Sequence, residues 1–199
     1  MAKIKLTKSE LKRQKEEEKR FTRYLPMLQL KKQQLQVEIL KIHRGIDSLA
    51  LQIDDLRSQI VVWVDVFAQD VELMRILKIK EIKTEVGNIA GIDIPVFLEV
   101  EFDVTEYDFL TMPLWVDKGI EVCKKEIELK AQIAIYHKQA QMLKNELRVT
   151  TQRVNLFEKV KIPQARENIR VINIYTGEIQ KAGVVRGKIA KAKIAKQNM

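Results

Sequence analysis

From Phe21 to Phe67, alternate steps of four and three residues land on Phe21, Leu25, Leu28, Lys32, Leu35, Ile39, Ile42, Ile46, Leu49, Ile53, Leu56, Ile60, Trp63 and Phe67. Of these only Lys32 is polar, and the residues between are mainly Lys, Gln, Glu, Asp and Arg. A 4–3 spacing sustained this long keeps one narrow apolar seam turned toward a partner helix, the pattern of a coiled coil. Thr7-Lys8-Ser9-Glu10 opens the run as a capping box, so the helix is expected from about Thr7 to Ile76.

A second helical pattern opens near Pro113, a good residue for a first turn because its missing N–H has no helical acceptor there. Its seam reads Leu129, Ile133, Tyr136, Ala140, Leu143, Leu147, Thr150, Val154 and Phe157. The phase then slips around Ile162-Pro163 and resumes at Ala165, Ile169 and Ile172. Two such arms in one chain bury their stripes most simply on each other. Between them the period changes to two. Leu98–Val104 alternates strictly, Ile79–Val86 is its looser partner, and Gly87, Asn88, Gly91 and Pro95 supply turn residues. The expected fold is mainly α: a long antiparallel two-helix coiled coil with a small β-hairpin inserted between the arms. Its parts are an N-terminal helix (1–76), the hairpin (77–112), and a C-terminal helix with a basic tail (113–199). A lone two-stranded ribbon is scarcely stable, so Trp115, Leu110 or the helix ends are expected to cover its apolar face.

If residues 77 and 113 face each other, paired positions sum to about 190. Pro26 then lies level with Gln164, beside Pro163, and both arms are expected to bend at one level. The same register brings two basic stretches together. Residues 1–24 hold nine Lys/Arg against four Glu, and residues 180–199 hold six Lys/Arg and no acid. Residues 84–117 hold eight acids and no Lys or Arg. Like charges gathered at one end imply an acidic partner surface.

Little in the chain suits catalysis. There are three serines (Ser9, Ser48, Ser58), one cysteine and two histidines, with no Gly-rich phosphate loop of the right spacing. His43 and His137 fall about ten residues out of register in the expected pairing and read as solvated helix-face residues, not metal ligands. Cys123 has no base placed near it by sequence. No catalytic residue, metal or cofactor is expected. The charged first twenty residues carry no apolar leader core, and no stretch approaches the ~18 apolar residues of a membrane span. A cytoplasmic location is expected.

Thr151-Gln152-Arg153-Val154-Asn155-Leu156-Phe157-Glu158, followed by Ile162-Pro163, resembles the signature of the D subunit of the V-type and archaeal A-type rotary ATPases. The opening Leu6-Thr7-Lys8-Ser9-Glu10-Leu11 and the central Val86–Pro95 region are also similar to that family, in the same order along the chain. The Lys-rich, Gly-containing run after Tyr175 departs from the family's more evenly helical ending. The resemblance implies a non-catalytic rotor shaft in the central stalk, coupling ATP hydrolysis or synthesis to proton or sodium-ion transport. Its implied partners are a hexamer of catalytic and regulatory subunits, the small F subunit and a funnel-shaped stalk protein linking the shaft to the membrane ring. Such a shaft is peripheral to the membrane and presents an asymmetric surface to otherwise equivalent catalytic sites, which is coupling by differential contact. The arginines of the basic end, Arg13, Arg20, Arg166, Arg170 and Arg186, are then the candidate hexamer contacts.

Two other classes fit a basic coiled coil. A prefoldin-like or tethering protein would hold clients on apolar helix tips, whereas here the tips are basic. A nucleic-acid-binding coiled coil would use the tail lysines on phosphates, but after Tyr175 no aromatic residue interleaves them for base stacking.

Overall fold

The computed structural model describes residues 4–61, 76–105, 112–113 and 115–197. Helix α1 spans Lys8–Val61, strands β1 and β2 span Leu77–Ile89 and Ile92–Val104, and helix α2 spans Val116–Leu156. A π-helical turn at Phe157–Lys161 leads into helix α3, Ile162–Gln197. The expected seam residues Trp63 and Phe67, and Leu110, lie outside the described residues.

The start of α1 is capped on one side only. The Glu10 N–H donates to Thr7 Oγ1 at 3.3 Å. The Glu10 carboxylate does not reach back; it accepts from Gln14 Nε2 at 2.9 Å and faces Arg13. Pro26 sits inside α1 without interrupting it.

The chain forms two compact units, one of residues 1–32 with 149–199 and the other of residues 33–148. In the second unit α1 and α2 pack antiparallel. Leu35, Ile39, Ile42, Leu49 and Ile53 are buried, with Ile46 and Leu56 half-buried. From α2, Ala140 and Leu143 are buried, and Leu129, Ile133, Tyr136 and Leu147 half-buried. Gly45 lets the helices close: a Cβ there would meet the Tyr136 ring at 3.1 Å. Helix α2 has a second buried row beside the seam, Ala131, Ile135 and Gln139. A helix buried on two rows must be covered twice, and here the second cover includes the hairpin. Gln139 Nε2 donates to the Pro95 carbonyl at 2.6 Å. Ile94, only 2% exposed, joins Leu35, Ile39, Ile42, Ala140 and Leu143 in one core, with Ile89, Ala90 and Ile92 against it. The hairpin's apolar face is therefore covered by the middle of the paired helices. Trp115 instead belongs to a separate cluster at the hairpin base with Ile76, Val116 and Ile120.

The strands are longer than the sequence pattern suggests, 13 residues each, because Gly87 and Pro95 are strand residues and not turn residues. Gly87 pairs with Ile94, and a Cβ on it would meet Val96 Cγ2 at 2.6 Å. Pro95 is tolerated because each strand of a two-stranded sheet has an unpaired edge. The turn itself is Ala90-Gly91, with φ of 54° and 79°, as a two-residue turn matched to strand twist requires. Asn88 braces it, its Oδ1 accepting from the Gly91 N–H at 3.1 Å and its Nδ2 donating to Asp93 Oδ1 at 2.8 Å.

The unit of residues 1–32 and 149–199 is built differently. Its buried residues are Gln14, Thr150, Val154, Ile162, Ala165 and Ile172. Seam residues Phe21, Leu25, Leu28 and Lys32 are half-buried. The rings of Phe21 and Phe157 meet with centroids 5.0 Å apart, tilted at 51°. Asn168 Nδ2 donates to Gln14 Oε1 at 3.1 Å, and Arg166 Nε to Glu18 Oε1 at 2.8 Å. Despite the glycines of its Lys-rich end, α3 stays helical to Gln197. From Glu178 to Lys196 every residue is exposed.

These contacts correct the register. Gln14–Asn168, Glu18–Arg166 and Arg57–Glu126 have positions summing to 182, 184 and 183, not 190. Phe21 meets Phe157, so Pro26 lies nearer to residue 156 than to Gln164, and the two prolines are not level. At the hairpin base the pairing stays near the expected sum, where Ile76 packs with Val116 and Ile120.

Candidate functional site

Nothing among the described residues assembles a catalytic centre. No group of three or more His, Cys, Asp or Glu is placed to hold a metal ion. The corrected register brings His43 and His137 to about the same level, where His43 is half-buried and His137 exposed. Burial, reinforced by the Glu126 carboxylate, pushes the Cys123 thiol above its ordinary range, the opposite of what a thiolate nucleophile needs. Among the described residues no helix is long and apolar enough to cross a membrane. The chemistry available is that of charged and apolar surfaces.

The five arginines separate into two groups. Arg13 faces Glu10 and Glu17, Arg166 pairs with Glu18, and Arg170 makes a two-pronged pair with Glu167 at 2.9 and 2.7 Å. The Arg170 guanidinium holds the Glu167 carboxyl below its usual range. Three of the five charges are thus already answered within the chain. Arg20 and Arg186 make no ion pair among the described residues, nor do Lys15, Lys19 and Arg23 on α1. On α3, Lys181, Arg186, Lys188, Lys191, Lys193 and Lys196 stand on an exposed helix with no acid after Glu178. Three glycines, Gly177, Gly183 and Gly187, lie in that stretch or at its start, each with open space where a Cβ would be. Ile179, Val184, Val185, Ile189 and Ile194 are each more than half exposed there. Small residues, apolar residues and unanswered cations therefore share the part of α3 from Glu178 to Lys196 that is exposed throughout.

The hairpin is less acidic than its sequence window suggests. Residues 84–117 omit the lysines of β1, whereas Leu77–Val104 holds three Lys against six acids. Lys83 bridges Glu99 and Glu101, and Lys80 reaches Glu101 at 3.1 Å. Lys83 and then Lys80 hold the Glu101 carboxyl below its usual range.

The Thr151–Asn155 motif forms the last turns of α2 before the π turn. Val154 is buried and Thr151 half-buried, while Gln152, Arg153 and Asn155 are exposed. Ile162 is buried and Pro163 exposed. Sequence reasoning missed the layer of buried Gln14 and half-buried Asn168, which no periodicity marks because both residues also suit a wet face. It also missed the second buried row of α2, although Ala131 and Ile135 at a spacing of four were visible.

The model of the ATP synthase D-subunit family matches residues 10–192. The D subunit of the V-type ATP synthase of Borreliella burgdorferi is 48% identical over 198 residues, covering 100% of this chain and 98% of that protein. Those of Chlamydia caviae and Chlamydia abortus are 30% and 29% identical over 194 residues, covering 96% of this chain and 93% of each relative.

Proposed function

The chain belongs to the ATP synthase D-subunit family, and on that premise we propose how it serves as a non-catalytic central-stalk component of a V-type ATP synthase. It acts as a rotor shaft. The unanswered cations of α3 beyond Thr176, with Arg20 and the Lys15–Lys19–Arg23 row of α1, face the inner surface of the hexamer of catalytic and regulatory subunits. Arg166 ties the arms through Glu18, while Arg13 and Arg170 pair with acids on their own helices, and all three contribute less to that contact. The exposed Gln152, Arg153 and Asn155 present polar groups to a neighbouring stalk or hexamer protein. The small F subunit docks along the paired helices, and the funnel-shaped protein linking the stalk to the membrane ring meets the hairpin end. The chain is thereby held at the membrane without entering it.

The observation that carries this reading is the stretch Glu178–Lys196, helical, wholly exposed and without an acid after Glu178. A helix that buries nothing within its own chain gains its stability from a surrounding surface. Mass spectrometry of the intact assembly isolated through this chain tests it, with ATPase subunits expected and nucleic acid absent. Crosslinks from residues 84–117 to the inside of the hexamer would reverse the orientation. Ile42→Asp with Leu143→Asp is expected to uncouple hydrolysis from ion transport, and full coupling in an assembled stalk carrying both changes would count against a shaft.

A further inference from the structure

The apolar row that α2 and α3 turn toward α1 contains one irregular step. Within the unit of residues 1–32 and 149–199 it runs Thr150, Val154, Phe157, Ile162, Ala165, Ile169 and Ile172, and the step from Phe157 to Ile162 is five residues where three or four is the rule. At about 100° per residue, five residues of α-helix would leave Ile162 roughly 140° away from Phe157. Yet Ile162 is buried on the same row. The π turn makes up the difference. The Ile162 N–H bonds to the Phe157 carbonyl, five residues back, so that one turn absorbs one residue more.

We propose that this turn is a phase adapter, taking up a surplus residue so that Phe157 and Ile162 both face α1, and that Phe21 on one side and Pro163 on the other fence it in place. The surplus itself is not anchored, since Glu158, Lys159, Val160 and Lys161 are all exposed. Moving the turn toward the N-terminus would rotate Phe157 off the row and part it from Phe21. Moving it toward the C-terminus would carry it past Pro163. In a regular α-helix the proline ring collides with the carbonyl four residues back and offers it no N–H, and the wide turn just before the ring relieves both. An inserted residue in a coiled coil is otherwise spread over several turns as a change of winding. Here it is confined to one, which leaves α3 in regular phase through Ala165 and Ile172.

Hydrogen exchange on the full-length chain tests this, independently of any role in an ATPase. Within Thr150–Ile172, wild type is expected to exchange fast only around residues 158–163. In Pro163→Ala the fast stretch is expected to spread to about residues 164–169, roughly tenfold faster there than in wild type. Deleting Val160 in the Pro163→Ala background shortens the step to four; it is expected to remove the fast stretch and keep Ala165–Ile172 protected, with no fall in the unfolding midpoint. Three results would overturn the proposal. In Pro163→Ala, an unchanged profile means that Pro163 is no fence, and full protection of 158–163 means that the proline alone made the turn. Loss of protection over Ala165–Ile172, or failure to fold, in the deletion variant means that the row does not carry a surplus residue.

Discussion

The two units use the same helix α1 and reach different cores. Residues 33–148 bury Leu35, Ile39, Ile42, Leu49, Ile53 and Leu143 and add a third layer, the hairpin, over the helix pair. Residues 1–32 with 149–199 have two layers, and their buried set includes Gln14, Thr150 and Ala165. Seam residues of α1 that are buried in the first case are only half-buried in the second. The 4–3 spacing of α1 runs through both, with Lys32 its one polar position, so much of the difference comes from what lies across the seam. One stretch of helix is stabilised mainly by apolar burial, at roughly 25 cal/mol per Å². The other relies more on polar contacts whose net contributions are small.

This contrast can be broken from the apolar side first. Leu143, wholly buried, is expected to cost about 3–5 kcal/mol as Leu143→Ala, read from denaturant unfolding. Ile94→Ala is expected to cost about 2–4 kcal/mol and to make the hairpin a preferred site of limited proteolysis, because its docking on α1 and α2 centres on that side chain. In the polar unit, Asn168→Leu alone leaves the Gln14 amide short of a partner and is expected to cost about 1–3 kcal/mol. Asn168→Leu with Gln14→Leu is expected to be neutral or stabilising, so the pair of variants shows whether the layer serves strength or register. Gly183→Ala with Gly187→Ala should raise helicity by circular dichroism, at about 0.5–1 kcal/mol per site locally, with the main unfolding transition unmoved.

The smallest effect is that of pH. Lys130 and then Arg57 hold the Glu126 carboxyl below its usual range. A depressed carboxylate contributes its stability above the ordinary pKa of about 4.5 and loses it as pH falls through the lower folded value. The site is largely exposed, so the loss from pH 7 to pH 3 should stay below about 1 kcal/mol and shrink further in high salt.

The sequence made the seam legible because a 4–3 spacing is local. Every described position of the α1 seam from Phe21 to Ile60 is buried or half-buried. The slip near Ile162-Pro163 was legible for the same reason, though not its form as a π turn. Register was not legible, because a local spacing says which residues face a partner and not which residues of the partner they meet. The docking of Ile94 into the helix pair was hidden for a related reason: strand alternation says that one face is covered, not by what. Gly87 and Pro95 misled in a specific way. Both are turn formers by propensity, but one is demanded by the Val96 side chain and the other permitted by an open edge. Arg170–Glu167 could have been read from its spacing of three, whereas Glu18–Arg166 spans 148 residues and could not.

Those separations also order events during synthesis. The strands are joined by two residues, Arg57 meets Glu126 across 69, and Gln14 meets Asn168 across 154. Loop closure favours the nearest pairs, so the hairpin and its flanking helix turns form first and pairing travels outward toward the chain ends. The seam of α1 near Phe21 leaves the ribosome long before Phe157 exists to cover it. At about 5–20 residues per second that interval is on the order of ten seconds or more. For that time one half of a coiled coil is an unpaired apolar stripe, and a nascent chain of this design depends on something else to keep it from aggregating.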